Sequence, residues 1–231
     1  MASQSTPLVV LHGWGQSSAE WEGFRGRFHS RPVILFDLPG FGREPLVSEK
    51  WGVPEYADWV EAKLRGQGIT AAHLLGHSFS GRIAALIASK RPTWLASLTL
   101  YGAPVLYRPS ASIRVRSSLA HLLKPLLGSL RKGNTELTDA DARGLGEVFR
   151  RVVPFDQTRT LPQIAVPTKL IWGEHDAAVP LSIAREAEKL IPGSALTIIP
   201  KAGHNAHIEQ PDLFYGLATH FLTHVERSPA I

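Results

Sequence analysis

One serine stands where it could become a nucleophile. The run Leu74-Leu75-Gly76-His77-Ser78-Phe79-Ser80-Gly81-Arg82 follows a short apolar stretch and opens an amphipathic one of helix length. A sharp strand-to-helix turn would hold Ser78 in a strained conformation and lift its Oγ clear of the strand. Strand and helix pass close at such a turn, so the positions two before and two after the serine must be small. Gly76 and Ser80 meet that need, with Gly81 one further on. A serine hydroxyl is a weak nucleophile until a base takes its proton, so a histidine and an orienting carboxylate are also required. Ile171-Trp172-Gly173-Glu174-His175-Asp176 offers the carboxylate in Asp176, and Lys201-Ala202-Gly203-His204-Asn205-Ala206-His207 offers the base in His204. In these roles His204 takes the Ser78 proton and returns it to the leaving group. Asp176 accepts from the other ring nitrogen and fixes the tautomer.

Acyl transfer also needs donors for the oxyanion of the tetrahedral intermediate. Leu11-His12-Gly13-Trp14-Gly15 follows the first apolar run, where a glycine-rich turn can aim a backbone N–H at the site. The expected donors are the backbone N–H groups of Trp14 and Phe79, with both side chains lining the acyl pocket. His12, Gly13, Trp14, Phe79 and Arg82 form the expected substrate-binding set. Competing residues have plainer readings. Glu174 is the rival acid, otherwise a loop carboxylate. His12, His77, His175 and His207 are more often structural hydrogen-bonders. Glu209 suits a helix start and Asp37 a turn before Pro39-Gly40. Arg82 is either a contact for an anionic substrate or a first-turn residue in water.

The elements that would hold these residues alternate. Buried strands are expected at Pro7 to His12, Pro32 to Leu38, Ala71 to His77, Leu95 to Tyr101, Thr168 to Trp172 and Ala195 to Ile199. Near-continuous apolar runs of this length suit a parallel sheet covered on both faces. Helices are expected at Pro54 to Leu64, Ser80 to Ser89, Leu181 to Leu190 and Pro211 to Val225. The alternation breaks between Tyr101 and Thr168, which suggests a helical cap over 104–160 inserted into a core of 1–103 and 161–231. In that cap Ser112 to Gly133 mixes a leucine face with basic residues. The pattern fits either a membrane-touching helix or a cap helix burying its leucines, and the second is preferred.

The whole chain has 231 residues, 44% hydrophobic and 19% charged, which fits one soluble domain with a modest insertion. The lack of cysteine excludes disulfides, thiolate metal sites and a cysteine nucleophile. The histidines are scattered, and no metal or cofactor is expected. The start of the chain shows no signal peptide, and no stretch is long enough to span a bilayer. A cytoplasmic location, without nucleic acid or stable membrane insertion, is expected. The formal net charge is +5. Segment 104–160 carries 10 basic and 5 acidic residues, so 10 − 5 = +5 and it holds the whole excess. An acidic carrier protein or an anionic substrate is the expected partner of that segment.

The chain resembles α/β-hydrolase-fold proteins along nearly its whole length outside the cap. His12-Gly13-Trp14-Gly15, Asp37-Leu38-Pro39-Gly40-Phe41-Gly42, Gly76-His77-Ser78-Phe79, Gly173-Glu174-His175-Asp176 and Gly203-His204 carry the resemblance in order. Ser, Asp and His follow one another as that family's triad does. Few residues precede the first strand, so the family's leading antiparallel strands are expected to be missing, leaving a mostly parallel six-stranded sheet. A serine nucleophile excludes the dehalogenase and epoxide-hydrolase branches, which use aspartate. The chain is similar to esterases acting on carrier-bound acyl groups, such as the pimeloyl-carrier methyl esterases. That implies a carboxylesterase working through an acyl-enzyme on short to medium acyl groups. Its rivals are the menaquinone-pathway SHCHC synthases, which it resembles at Arg82 and at Gly203-His204-Asn205-Ala206-His207, and the family's non-catalytic binding proteins.

Overall fold

The computed structural model describes residues 5–108 and 135–227. Six short strands form one sheet: β1 Leu8–Leu11, β2 Val33–Phe36, β3 Ala72–His77, β4 Leu95–Tyr101, β5 Thr168–Gly173 and β6 Ala195–Ile199. Their order is β2-β1-β3-β4-β5-β6 and every pairing is parallel. The sheet is therefore fully parallel, where the sequence suggested mostly parallel. The helices are α1 Glu22–Arg25, α2 Val53–Gly66, α3 Phe79–Ser89, α4 Thr135–Ala142, α5 Gly146–Val152, α6 Leu181–Leu190, α7 Ala206–Glu209 and α8 Pro211–Arg227.

Alternation along each strand divides the core in two. Val9 and Leu11 face a cluster with Leu74, Leu98, Leu100 and Trp172, covered by α2, α3 and α6. Leu8 and Val10 face the other side with Leu75, Tyr101 and Ile171, covered by α1 and α8. Helix α2 starts where Pro54 sits in its first turn and the Glu55 carboxylate accepts the Gly52 N–H at 2.8 Å. It buries Val53, Tyr56, Ala57, Val60 and Leu64, the spacing of one helical face. In α8 the buried residues are Phe214, Ala218 and Leu222, four apart. Helix α3 is buried almost throughout, because it is covered by the sheet, by α2 and by the chain leaving α5.

Strand order reverses between β1 and β3, the place where parallel α/β sheets open a crevice at their carboxyl ends. Pairings Leu11↔Gly76, His77↔Tyr101, Tyr101↔Ile171 and Gly173↔Ile199 bring the strand ends level, so the loops after β1, β3, β4, β5 and β6 meet on one edge. Between β4 and β5 the described residues hold α4 and α5, two short helices followed by turns. The leucine-rich stretch Ser112 to Gly133 lies outside the described residues. Among the described residues no helix is long and apolar enough to cross a membrane.

Candidate active site

Ser78 stands between β3 and α3 with φ 53° and ψ −119°, a conformation costing a non-glycine residue on the order of 1–3 kcal/mol. The turn is held from both sides: the Ser78 N–H donates to Tyr101 O at 2.8 Å, and the Gly81 N–H donates to Ser78 O at 2.9 Å. A methyl group at Gly76 would lie 2.6 Å from Ser80 O and 2.8 Å from the Ala84 Cβ, so only glycine allows α3 to pass that close. Ser80 does more than stay small. Its hydroxyl donates to Leu11 O at 2.6 Å and accepts the His77 N–H at 3.0 Å, which stitches the end of β1 to the elbow.

The loop after β5 carries Asp176, whose side chain is fully buried. Its Oδ1 accepts the N–H groups of Ala178 at 2.9 Å and Val179 at 2.8 Å, while Oδ2 accepts from His204 Nδ1 at 2.8 Å. With Nδ1 donating, Nε2 of His204 is the nitrogen that can take a proton. The loop after β6 that holds His204 is itself anchored. The His204 carbonyl accepts the Tyr101 hydroxyl at 2.8 Å, and Glu209 accepts the N–H groups of Asn205 and Gly203. Gly102, at φ 52°, passes under the pair. A methyl there would lie 3.1 Å from His204 Nδ1 and 3.3 Å from Asp176 Oδ2. The His204 ring lies 4.9 Å, centroid to centroid, from that of His77, the residue before Ser78.

On the other side of Ser78, neither the Trp14 nor the Phe79 backbone N–H has a hydrogen-bond partner among the described residues. The Trp14 ring meets Phe41, Phe79 and Phe149 edge-on at 5.1, 5.3 and 5.2 Å, giving an aromatic wall to which α5 contributes Phe149. His12 is a buried strut. Its Nε2 accepts the Leu38 N–H at 3.0 Å and its Nδ1 donates to Gly13 O at 2.8 Å. Burial holds its pKa below the ordinary value. Gly13 gives its N–H to Gln16 Oε1 at 2.8 Å.

Arg82 is neither at the surface nor in water. It is 6% exposed, its Nη2 donates to Val153 O at 2.9 Å, and Gln157 Nε2 donates to Arg82 O at 3.1 Å. Burial pushes its guanidinium pKa down to about 10. Glu174 accepts the Lys201 N–H at 2.9 Å as a loop carboxylate, and Asp37 accepts the N–H groups of Ser18 and Arg43 at 2.7 and 2.9 Å. His175 is exposed beside Glu174, while His207 is buried and stacked on Trp21 at 4.2 Å. Of the basic residues in 104–160 that are described, Arg108 pairs with Asp156 and Glu186, Arg150 with Asp141, and Arg151 with Glu147. Arg143 has no ion pair among the described residues. Its Nη1 would lie 3.7 Å from a methyl group placed on Gly15. Sequence reasoning missed Gln16, Tyr101 and Gly102, and read Glu209 as a helix-start carboxylate, where it accepts the N–H groups just before α7. Of the missed residues only Gly102, a glycine directly after a strand, left a local signal.

An elbow serine at the switch point of a fully parallel sheet, with a loop histidine that is paired to a loop carboxylate and packed 4.9 Å from the residue before that serine, defines the class of α/β-hydrolase-fold proteins. The chain belongs to the Alpha/beta hydrolase family, which it matches over residues 8–217. It is 30% identical to a pimeloyl-[acyl-carrier protein] methyl ester esterase of Aeromonas hydrophila subsp. hydrophila, across 95% of this chain and 96% of that protein. It is 25% identical to a 2-hydroxy-6-oxononadienedioate/2-hydroxy-6-oxononatrienedioate hydrolase of a Pseudomonas species, across 93% and 87%. Among solved structures it resembles a thermophilic esterase from Thermogutta terrifontis, with a TM-score of 0.75 at 23% identity over 96% of this chain and 91% of that one.

Proposed function

We propose that the protein hydrolyses carboxylic esters through an acyl-enzyme on Ser78. The observation that carries this reading is the 2.8 Å bond from His204 Nδ1 to Asp176, with the His204 ring 4.9 Å from that of His77, the residue before a serine held at φ 53°. In the first half-reaction Ser78 Oγ attacks the ester carbonyl and His204 Nε2 takes the hydroxyl proton. The oxyanion that forms is met by the N–H groups of Trp14 and Phe79. As the tetrahedral intermediate collapses, His204 gives its proton to the departing alkoxide. Water then attacks the acyl-enzyme, with His204 as base again, and the carboxylic acid leaves.

The wall of Trp14, Phe41, Phe79 and Phe149 suits an apolar acyl chain of short to medium length. An esterase relative whose name specifies an acyl-carrier methyl ester, together with the basic balance of 104–160, supports a carrier-bound or anionic substrate met in the cytoplasm. The elimination alternative rested on Gly203-His204-Asn205-Ala206-His207 and on Arg82 as a contact for an anionic substrate; the burial of Arg82 and its tie to Val153 O favour ester cleavage instead.

The test is a fluorophosphonate probe alongside p-nitrophenyl esters of increasing chain length. The probe is expected to label Ser78. Ser78→Ala is expected to keep its circular dichroism while losing on the order of 10⁶ in turnover. Labelling at Ser80, no labelling, or an active Ser78→Ala variant overturns the reading.

A further inference from the structure

Three parts of the site, the loop after β1, the end of β3 and the loop after β6, meet at one side chain that belongs to none of the assigned roles. Gln16 Oε1 accepts the Gly13 N–H at 2.8 Å and lies 3.0 Å from His77 Nδ1, and Gln16 Nε2 donates to Asn205 Oδ1 at 3.2 Å. The orientation of this amide is settled by its partners, because a backbone N–H can only donate. Oε1 must therefore face Gly13, and Nε2 is left for Asn205. The three partners are neighbours of working groups: Gly13 precedes Trp14, His77 precedes Ser78, and Asn205 follows His204. Among the described residues, Gln16–Asn205 is the direct polar link between the Gly13–Gly15 turn and the histidine loop.

We propose that Gln16 is a positioning residue, setting the oxyanion turn, the nucleophile elbow and the histidine loop in register with one another. The proposal rests on the ester-hydrolase reading of the site. By engaging the Gly13 N–H, Gln16 fixes the direction of that peptide and leaves the next N–H, that of Trp14, for the oxyanion. The space is tight: a methyl group on Gly13 would lie 2.8 Å from Gln16 Oε1 and 3.0 Å from His77 Nδ1. A half-buried side chain bridging positions 61 and 189 residues away holds distances within the site rather than the fold as a whole, whose core lies deeper in the sheet.

The experiment measures how fast a fluorophosphonate modifies Ser78, with steady-state hydrolysis of a p-nitrophenyl ester in parallel. In the probe reaction the Oγ–P bond forms, the P–F bond breaks, fluoride leaves and His204 takes the hydroxyl proton. The variants are Gln16→Leu, Asn205→Ala and the double variant. Each single change is expected to slow phosphonylation and lower kcat on the order of 10- to 100-fold, with KM little changed. The double variant is expected to be no slower than the slower single one, since both remove the same link. A folded Gln16→Leu protein reacting at the wild-type rate, a lowered Tm with unchanged kcat, or multiplicative losses in the double variant overturns the proposal. If Gln16→Leu fails to fold, Asn205→Ala carries the same test, and an unchanged kcat there overturns it. A wild-type protein inert to the probe overturns the ester reading and this proposal together. A reactive wild type with insensitive variants overturns this proposal alone.

Discussion

Asp176 differs from the other loop carboxylates in how its two oxygens are divided. Oδ1 is taken by two backbone N–H groups and Oδ2 by His204. In Asp176→Asn the amide oxygen must stay with those two donors, so the amide nitrogen turns toward His204. Nδ1 is then forced to accept, the proton moves to Nε2, and the nitrogen needed as base is blocked. The expected result is an intact fold with a loss of roughly 10⁴ in kcat, measured on the same ester. A variant within tenfold of wild type would refute the role. Glu174→Gln serves as the control, because Glu174 holds the Lys201 N–H and lies beside exposed His175, with no bond to His204 among the described residues. Ser78, Asp176 and His204 were legible in the sequence because each follows a strand in a glycine-marked motif. Gln16 and Tyr101 were not, since the partners that tie them to the other loops, His77 and Asn205 for Gln16 and His204 for Tyr101, lie far away in sequence and no local pattern announces them. Ser80 was read only as small, and its bonds to Leu11 and His77 came from tertiary approach.

The six strands were legible as elements because both faces of a parallel sheet are buried, which leaves short apolar runs bounded by turns. Helices α2, α6 and α8 were legible by their spacing. The excursion between β4 and β5 was less so, because α4 and α5 are too short for periodicity to fix their ends. That shortness also hid the burial of Arg82. Nothing in the first turn of α3 shows that Val153 and Gln157 fold down onto it. Helix α5 matters to the site through Phe149, which closes the aromatic wall against Trp14. Phe149→Ala is expected to lengthen the acyl pocket, moving the kcat/KM optimum of a p-nitrophenyl ester series toward longer chains. It is also expected to cost about 3–5 kcal/mol of stability, read by urea unfolding. An unchanged chain-length profile would remove Phe149 from the pocket.

At the scale of the whole molecule, several histidines are buried in the folded state. Burial, with the His204 charge second, holds the His207 pKa down from the ordinary 6.5 to about 4, and burial holds His77 and His12 below their ordinary value too. Between pH 6.5 and about 4 the unfolded chain therefore binds a proton at His207 that the folded chain refuses. Stability is full above that window and falls as pH drops through it, by roughly 3 kcal/mol for His207. Calorimetric Tm values from pH 7 to pH 4.5 are expected to decline steadily, and a flat profile would contradict the buried neutral state. The arrangement of the sheet also bears on how the protein fails when heated. Among the described residues β6 is an edge strand paired with β5 alone, and the loop holding His204 follows its end. The elbow, by contrast, lies inside the sheet between β1 and β4. Edges fray before centres do. On the proposed reading, activity is therefore expected to be lost on heating before the molecule melts globally, as fraying at β6 carries His204 away while Ser78 stays in its strained turn; simultaneous loss of activity and of ellipticity would contradict this.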